Sequence, residues 1–111
     1  MLWLGFAGRA INRPAPVALP WYHRSDYAAL LELFSDPQNL PDTFDAWLEH
    51  AERVEKQLQA AGFGVARILI SPAPFKGWCE AQGVAPDQRA RLSYANELVR
   101  ARHAPRRPWG G

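Results

Sequence analysis

Gly64-Val65-Ala66-Arg67-Ile68-Leu69-Ile70-Ser71-Pro72 is the stretch that decides the fold. Val65, Ile68 and Ile70 are β-branched, and such side chains favour the extended chain. Ile68-Leu69-Ile70 is a continuous apolar run, the pattern of a strand covered on both faces. Ser71-Pro72 reads as a cap followed by the first helical residue. Residues 64–70 therefore predict a strand that hands directly into a helix. A lone strand leaves its backbone donors and acceptors unpaired, so this one needs a partner. Three segments qualify: Leu2–Phe6, Val17–Trp21, or the same strand of a second chain. Pro14, Pro16 and Pro20 exclude helix and interior strand around the second. Val17-Ala18-Leu19 remains fit for a short edge strand.

Outward from this strand the chain reads as helix on both sides. Upstream, Phe44, Trp47, Leu48, Ala51, Val54, Leu58 and Ala61 form one apolar face at helical spacing. Asp42 is the expected cap of that helix and Gly62 its stop. Before it, Tyr27, Leu30, Leu31 and Phe34 form a shorter stripe over about 25–35, ended by Asp36-Pro37. Downstream, a third helix runs from Pro72 to about Gln82, with Gly83 as its stop. A fourth runs from Pro86 to about His103. The fold class expected is α+β: about four helices packed on a very small β-sheet, helix-dominated. Trp47, Leu58, Ile68, Ile70, Phe75, Trp78, Tyr94 and Leu98 are the expected core. The helices of 42–61 and 86–103 are expected to be the main packing pair.

At 111 residues the chain is one domain. Residues 1–20 read as a proline-containing arm, 21–103 as the globular domain, and 104–111 as a mobile tail. Trp3 and Phe6 are costly to leave in water and are expected to dock, across a dimer or on the body. The single cysteine, Cys79, excludes an internal disulfide and points to a reducing compartment, the cytoplasm. The apolar run Met1–Ala7 is far short of the roughly 20 residues that span a membrane.

The net charge of +2 conceals a split. Residues 21–62 carry −5, whereas 63–111 carry +5, and 11 of the 13 basic residues are arginine. Either the two halves pair internally, or the basic half faces an anionic partner such as nucleic acid. Arg91 and Arg102 fall inside the apolar arc of the fourth helix, whereas Arg89 and Arg100 fall on its polar face. A guanidinium in an apolar stripe must snorkel or be paired. Arg91 or Arg102 is thus expected to bridge to an acid of residues 42–55. The alternative is a small anion site built from Arg91, Trp78 and Tyr94.

No catalytic signature emerges. His23, His50 and His103 lack metal-ligand spacing, and no metal or other cofactor is expected. Cys79 lies mid-helix beside the apolar face, where a buried, inert thiol is the usual occupant. Pro72–Gln82, Gly83-Val84-Ala85 and Pro86–His103 together are similar to a helix-turn-helix pair. Gln88, Arg89 and Arg91 at the start of its second helix could reach bases or phosphates. Gln82 and Arg89 depart from that pattern, standing where apolar residues are preferred.

Asp42-Thr43-Phe44-Asp45-Ala46-Trp47-Leu48, Phe75-x-x-Trp78-Cys79 and Arg91-x-x-Tyr94-Ala95-Asn96-Glu97 together resemble a group of small uncharacterised bacterial proteins. The resemblance covers roughly residues 21–100 and implies no activity. The function expected is that of a non-catalytic cytoplasmic binding or accessory protein acting through protein–protein contacts or self-association. The alternative is a DNA-binding protein using residues 72–103, and a third class is an enzyme using Cys79 or a pocket centred on Arg91. The candidate binding residues are Trp78, Arg89, Arg91, Tyr94, Arg100 and Arg102.

Overall fold

The computed structural model describes residues 15–102. Its elements are β1 (Val17–Trp21), α1 (Tyr27–Leu33), α2 (Phe44–Ala60), β2 (Val65–Leu69), α3 (Pro72–Gln82) and α4 (Gln88–Arg102). Short 3-10 turns at Arg24–Asp26 and Pro37–Asn39 flank α1. Among the described residues the fold is helix-dominated α+β, with four helices on a two-stranded parallel sheet.

Of the three partners open to the Ile68 strand, Val17–Trp21 is the one used. Val17 pairs with Val65 and Trp21 with Leu69. Parallel strands require a long crossover, and α1 and α2 supply it. β1 crosses the boundary expected at residue 20, so Val17–Pro20 belong to the body rather than to an arm. Trp3 and Phe6, and the segment 104–111, lie outside the described residues.

The local signals mostly act as their chemistry demands. Thr43, not Asp42, caps α2: its Oγ1 accepts the Ala46 N–H at 3.1 Å. Gly83 ends α3 at φ +68°, a left-handed conformation that costs a glycine little. α4 begins at Gln88, with the Asp87 carboxylate accepting the Ala90 N–H at 3.0 Å.

Two clusters fill the interior. The larger joins Tyr22, Tyr27, Leu30, Phe34, Trp47, Ile70, Phe75 and Cys79. The smaller joins Ala18, Ile68, Ala95 and Val99 between the sheet and α4. Trp47, Ile68, Ile70 and Phe75 are buried as expected, whereas Leu58, Trp78, Tyr94 and Leu98 are half-buried. The expected pairing of α2 with α4 is replaced by a layered one. α4 packs chiefly on β1, through the face that carries Ala18. α2 reaches the other face, where Trp47 meets Trp21 edge-on at 5.1 Å.

Candidate functional site

The chain leaves α1 at Phe34 and turns through Ser35–Asn39 against the start of α4. The Ser35 N–H donates to the Pro86 carbonyl at 3.1 Å. Asp36 follows and becomes the anchor of that junction. Its Oδ1 accepts from Arg91 Nη1 at 2.7 Å, and its Oδ2 from Arg91 Nη2 at 3.1 Å. Oδ2 also accepts the Gln88 backbone N–H and Asn39 Nδ2, each at 3.2 Å. A carboxylate that meets both a guanidinium fork and the first N–H of a helix is held by charge, geometry and helix dipole together.

Arg91 is 4% exposed and Asp36 8% exposed. The guanidinium carbon lies 4.4 Å from the Phe34 ring centroid, so the cation is stacked as well as paired. The Arg91 hydrogen bond holds the Asp36 carboxyl below the usual carboxylate range, outweighing burial. Burial pushes the neighbouring Tyr22 hydroxyl up to about 12, with the Arg91 charge opposing it. Arg91 is therefore paired with Asp36, not with an acid of residues 42–55. Two other arginines reach α2 instead: Arg24, whose Nη2 donates to Asp45 Oδ1 at 2.8 Å, and Arg67 on β2. Arg67 donates to Glu55 through Nε at 2.8 Å and Nη2 at 2.7 Å, and lies 3.9 Å over the Trp21 ring.

Beside Arg91 opens a groove of about 270 Å³. Leu19, Pro20 and Trp21 of β1 form one wall, and Trp47, His50, Ala51 and Val54 of α2 a second. Asn39, Leu40 and Pro41 close one end, and Gln88, Arg91 and Leu92 of α4 another. The lining is mainly apolar, with Asn39, His50, Gln88 and Arg91 as its polar groups. Leu92 is 41% exposed. A concave, mostly apolar site with a few polar groups suits an apolar side chain or small ligand.

The other candidate residues are dispersed. Arg89, Arg100 and Arg102 are exposed on α4. Trp78 and Tyr94 meet each other at 5.4 Å, and Phe75 at 6.4 and 5.3 Å. Trp78 Nε1 donates to Glu97 Oε2 at 2.8 Å. The structure thus brings Trp78 and Tyr94 together, while the Arg91 guanidinium is engaged by Asp36 and Phe34.

Among the described residues no group of three or more His, Cys, Asp or Glu could hold a metal ion. Cys79 is buried, and burial, then the charges of Asp87 and Glu80, push its thiol up. A thiol so placed is not a thiolate near neutral pH. Among the described residues no helix is long and apolar enough to cross a membrane.

Sequence reasoning missed Asp36, which read only as a helix stop before Pro37. The signal was Arg91 itself, because an arginine in an apolar stripe demands a buried acid and Asp36 was not among those considered. It also missed the groove, whose walls come from three separate segments. No family model, curated protein or solved structure matches this chain.

Proposed function

We propose that this protein is a small non-catalytic binding or accessory protein that acts through protein contacts, with the groove beside Arg91 as its contact site. The observation that carries this reading is the lining of that groove: Leu19, Trp21, Leu40, Trp47, Val54 and Leu92 face one concavity of about 270 Å³. Such a space accepts one large apolar anchor from a partner, the usual centre of a binding hot spot. The bidentate Asp36–Arg91 pair holds α4 against the loop before α2, so the groove is formed in advance. A preformed site costs a partner little ordering free energy. A single buried, unpaired thiol suits a reducing compartment, and the cytoplasm is the compartment proposed.

The test compares affinity capture by the full chain with capture by its Leu92→Asp and Ser93→Asp variants, after nuclease treatment. Both positions are exposed, so both variants should fold. Proteins lost with Leu92→Asp and retained with Ser93→Asp support the groove. A capture profile identical for all three proteins refutes it.

The second reading is DNA binding through α4. It is favoured by the exposed face of that helix, which carries Arg89, Leu92, Ser93, Asn96 and Arg100. Arg89 and Arg100 stand eleven residues, or about 16 Å, apart along it. Against it, Arg91 is spent on Asp36, and Glu97 shares the same face. Duplex binding that weakens steeply with salt, and is lost in Arg89→Ala/Arg100→Ala, would establish this reading instead.

A further inference from the structure

The two-stranded sheet has two outer edges, and they differ. The Val17 N–H donates to the Gly64 carbonyl at 2.9 Å, and the Ile70 N–H to the Trp21 carbonyl at 2.8 Å. In the parallel register this turns the backbone groups of Val17, Leu19 and Trp21 toward β2, and those of Gly64, Ala66, Ile68 and Ile70 toward β1. Ala18 and Pro20 therefore face outward on β1. Pro20 has no N–H, so that edge is blunted in the way natural sheets guard against pairing. On β2 the outward residues are Val65, Arg67 and Leu69. Each presents an N–H and a carbonyl, and no hydrogen bond joins these groups to other described residues.

This second edge is less guarded. β2 contains no proline, and its one charge, Arg67, is half exposed but paired with Glu55 and laid over Trp21. Leu69 is 39% exposed, and Phe63, just before the strand, is 53% exposed. An edge that is open among the described residues, mostly apolar and with its one charge paired is a template for another strand.

We propose that β2 pairs antiparallel with β2 of a second copy about a two-fold axis at Arg67. The edge is complementary to itself. Around that axis Arg67 meets Arg67 of the second copy and Val65 meets Leu69, twice by symmetry. Val65, Arg67 and Leu69 then each give their N–H and accept at their carbonyl, and both Val65–Leu69 pairs are apolar. The two central arginines meet as neutral pairs, because each carries its own Glu55. The result is a continuous four-stranded sheet, whereas a two-stranded one alone is marginal. The edge lies on the far side of β2 from β1, so this contact stands apart from the groove and does not depend on it.

The experiment measures the mass of the full chain by light scattering from low to high micromolar concentration. Amide hydrogen exchange is followed over the same series. The expected result is a concentration-dependent dimer in which the Val65, Arg67 and Leu69 amides exchange more slowly as dimer accumulates. Leu69→Lys should raise the dissociation constant by about tenfold or more, since it removes both apolar pairs, with no loss of monomer melting temperature. A monomer throughout, a dimer whose edge amides exchange as fast as in monomer, or a dimer unaffected by Leu69→Lys overturns the proposal. So does concentration-independent protection of these amides in a monomer, which would mean that the chain covers its own edge.

Discussion

Asp36→Ala is the perturbation to which the site should be most sensitive. It removes a carboxylate that accepts two bonds from Arg91, one from the Gln88 N–H and one from Asn39. The larger consequence falls on Arg91, which is 4% exposed and, among the described residues, forms an ion pair with no other acid. Breaking a buried pair from one side costs about 3–5 kcal/mol, because the remaining charge stays buried and uncompensated. Domains of this size hold only about 5–15 kcal/mol in total. At about 4–5 °C per kcal/mol, the melting temperature should fall by roughly 12–25 °C. Urea unfolding followed by tryptophan fluorescence measures this, since Trp47 lies in the same core. Asp36→Leu/Arg91→Met removes both charges and should recover most of the loss. A loss below about 1 kcal/mol for Asp36→Ala would refute the claim that the pair is buried and structural. A double variant as unstable as the single one would refute the charge argument.

The same pair sets an acid limit. The Asp36 carboxyl titrates below its ordinary value of 3.8 when folded, so its contribution is present above that pH and lost as pH falls through the lowered value. Unfolding titrations should show wild type losing stability below about pH 4, and Arg91→Met losing less over that range. At the alkaline end Tyr22 rises from 10.0 to about 12. Its stabilising effect is complete below pH 10 and vanishes toward pH 12, so its tyrosinate absorbance should appear only as the chain unfolds. Cys79 should react slowly with a disulfide reagent at neutral pH and rapidly in denaturant; fast native labelling would reopen thiol chemistry. Thr43→Ala should cost about 1 kcal/mol through the lost α2 cap, and Gly83→Ala a similar amount through its φ of +68°, both read from denaturant midpoints.

What was legible in the sequence follows from range. Val65, Ile68 and Ile70 announce the strand through composition alone, although Leu69 is exposed and the strand is not covered on both faces as expected, and the run Phe44 to Ala60 announces a helix through its period. Both signals are local, and local signals survive without a structure. The partner of β2 was narrowed to three segments, of which prolines limit Val17–Trp21 to an edge strand, but only contact between distant segments selects it. Pairing partners are less legible still. Asp36 and Arg91 lie 55 residues apart, and periodicity carries no record of which acid an arginine meets. The charge split misled for the same reason. Asp45 and Glu49 of α2 pair with Arg24 and Arg53 of the acidic half itself, and among the described residues the α2 acid that pairs with the basic half is Glu55, through Arg67. The groove was invisible because β1, the Asn39–Pro41 loop, α2 and α4 each contribute only a few side chains to it.

The most direct test of the protein-contact reading places a photo-crosslinking residue at the groove rim, Leu92→p-benzoylphenylalanine, in the full chain inside its native cells. Discrete protein adducts at Leu92, absent when the same residue replaces Ser93, are the predicted result. No adduct at Leu92, with nucleic-acid adducts when the probe replaces Arg89 or Arg100, would contradict the reading and assign α4 to nucleic acid instead.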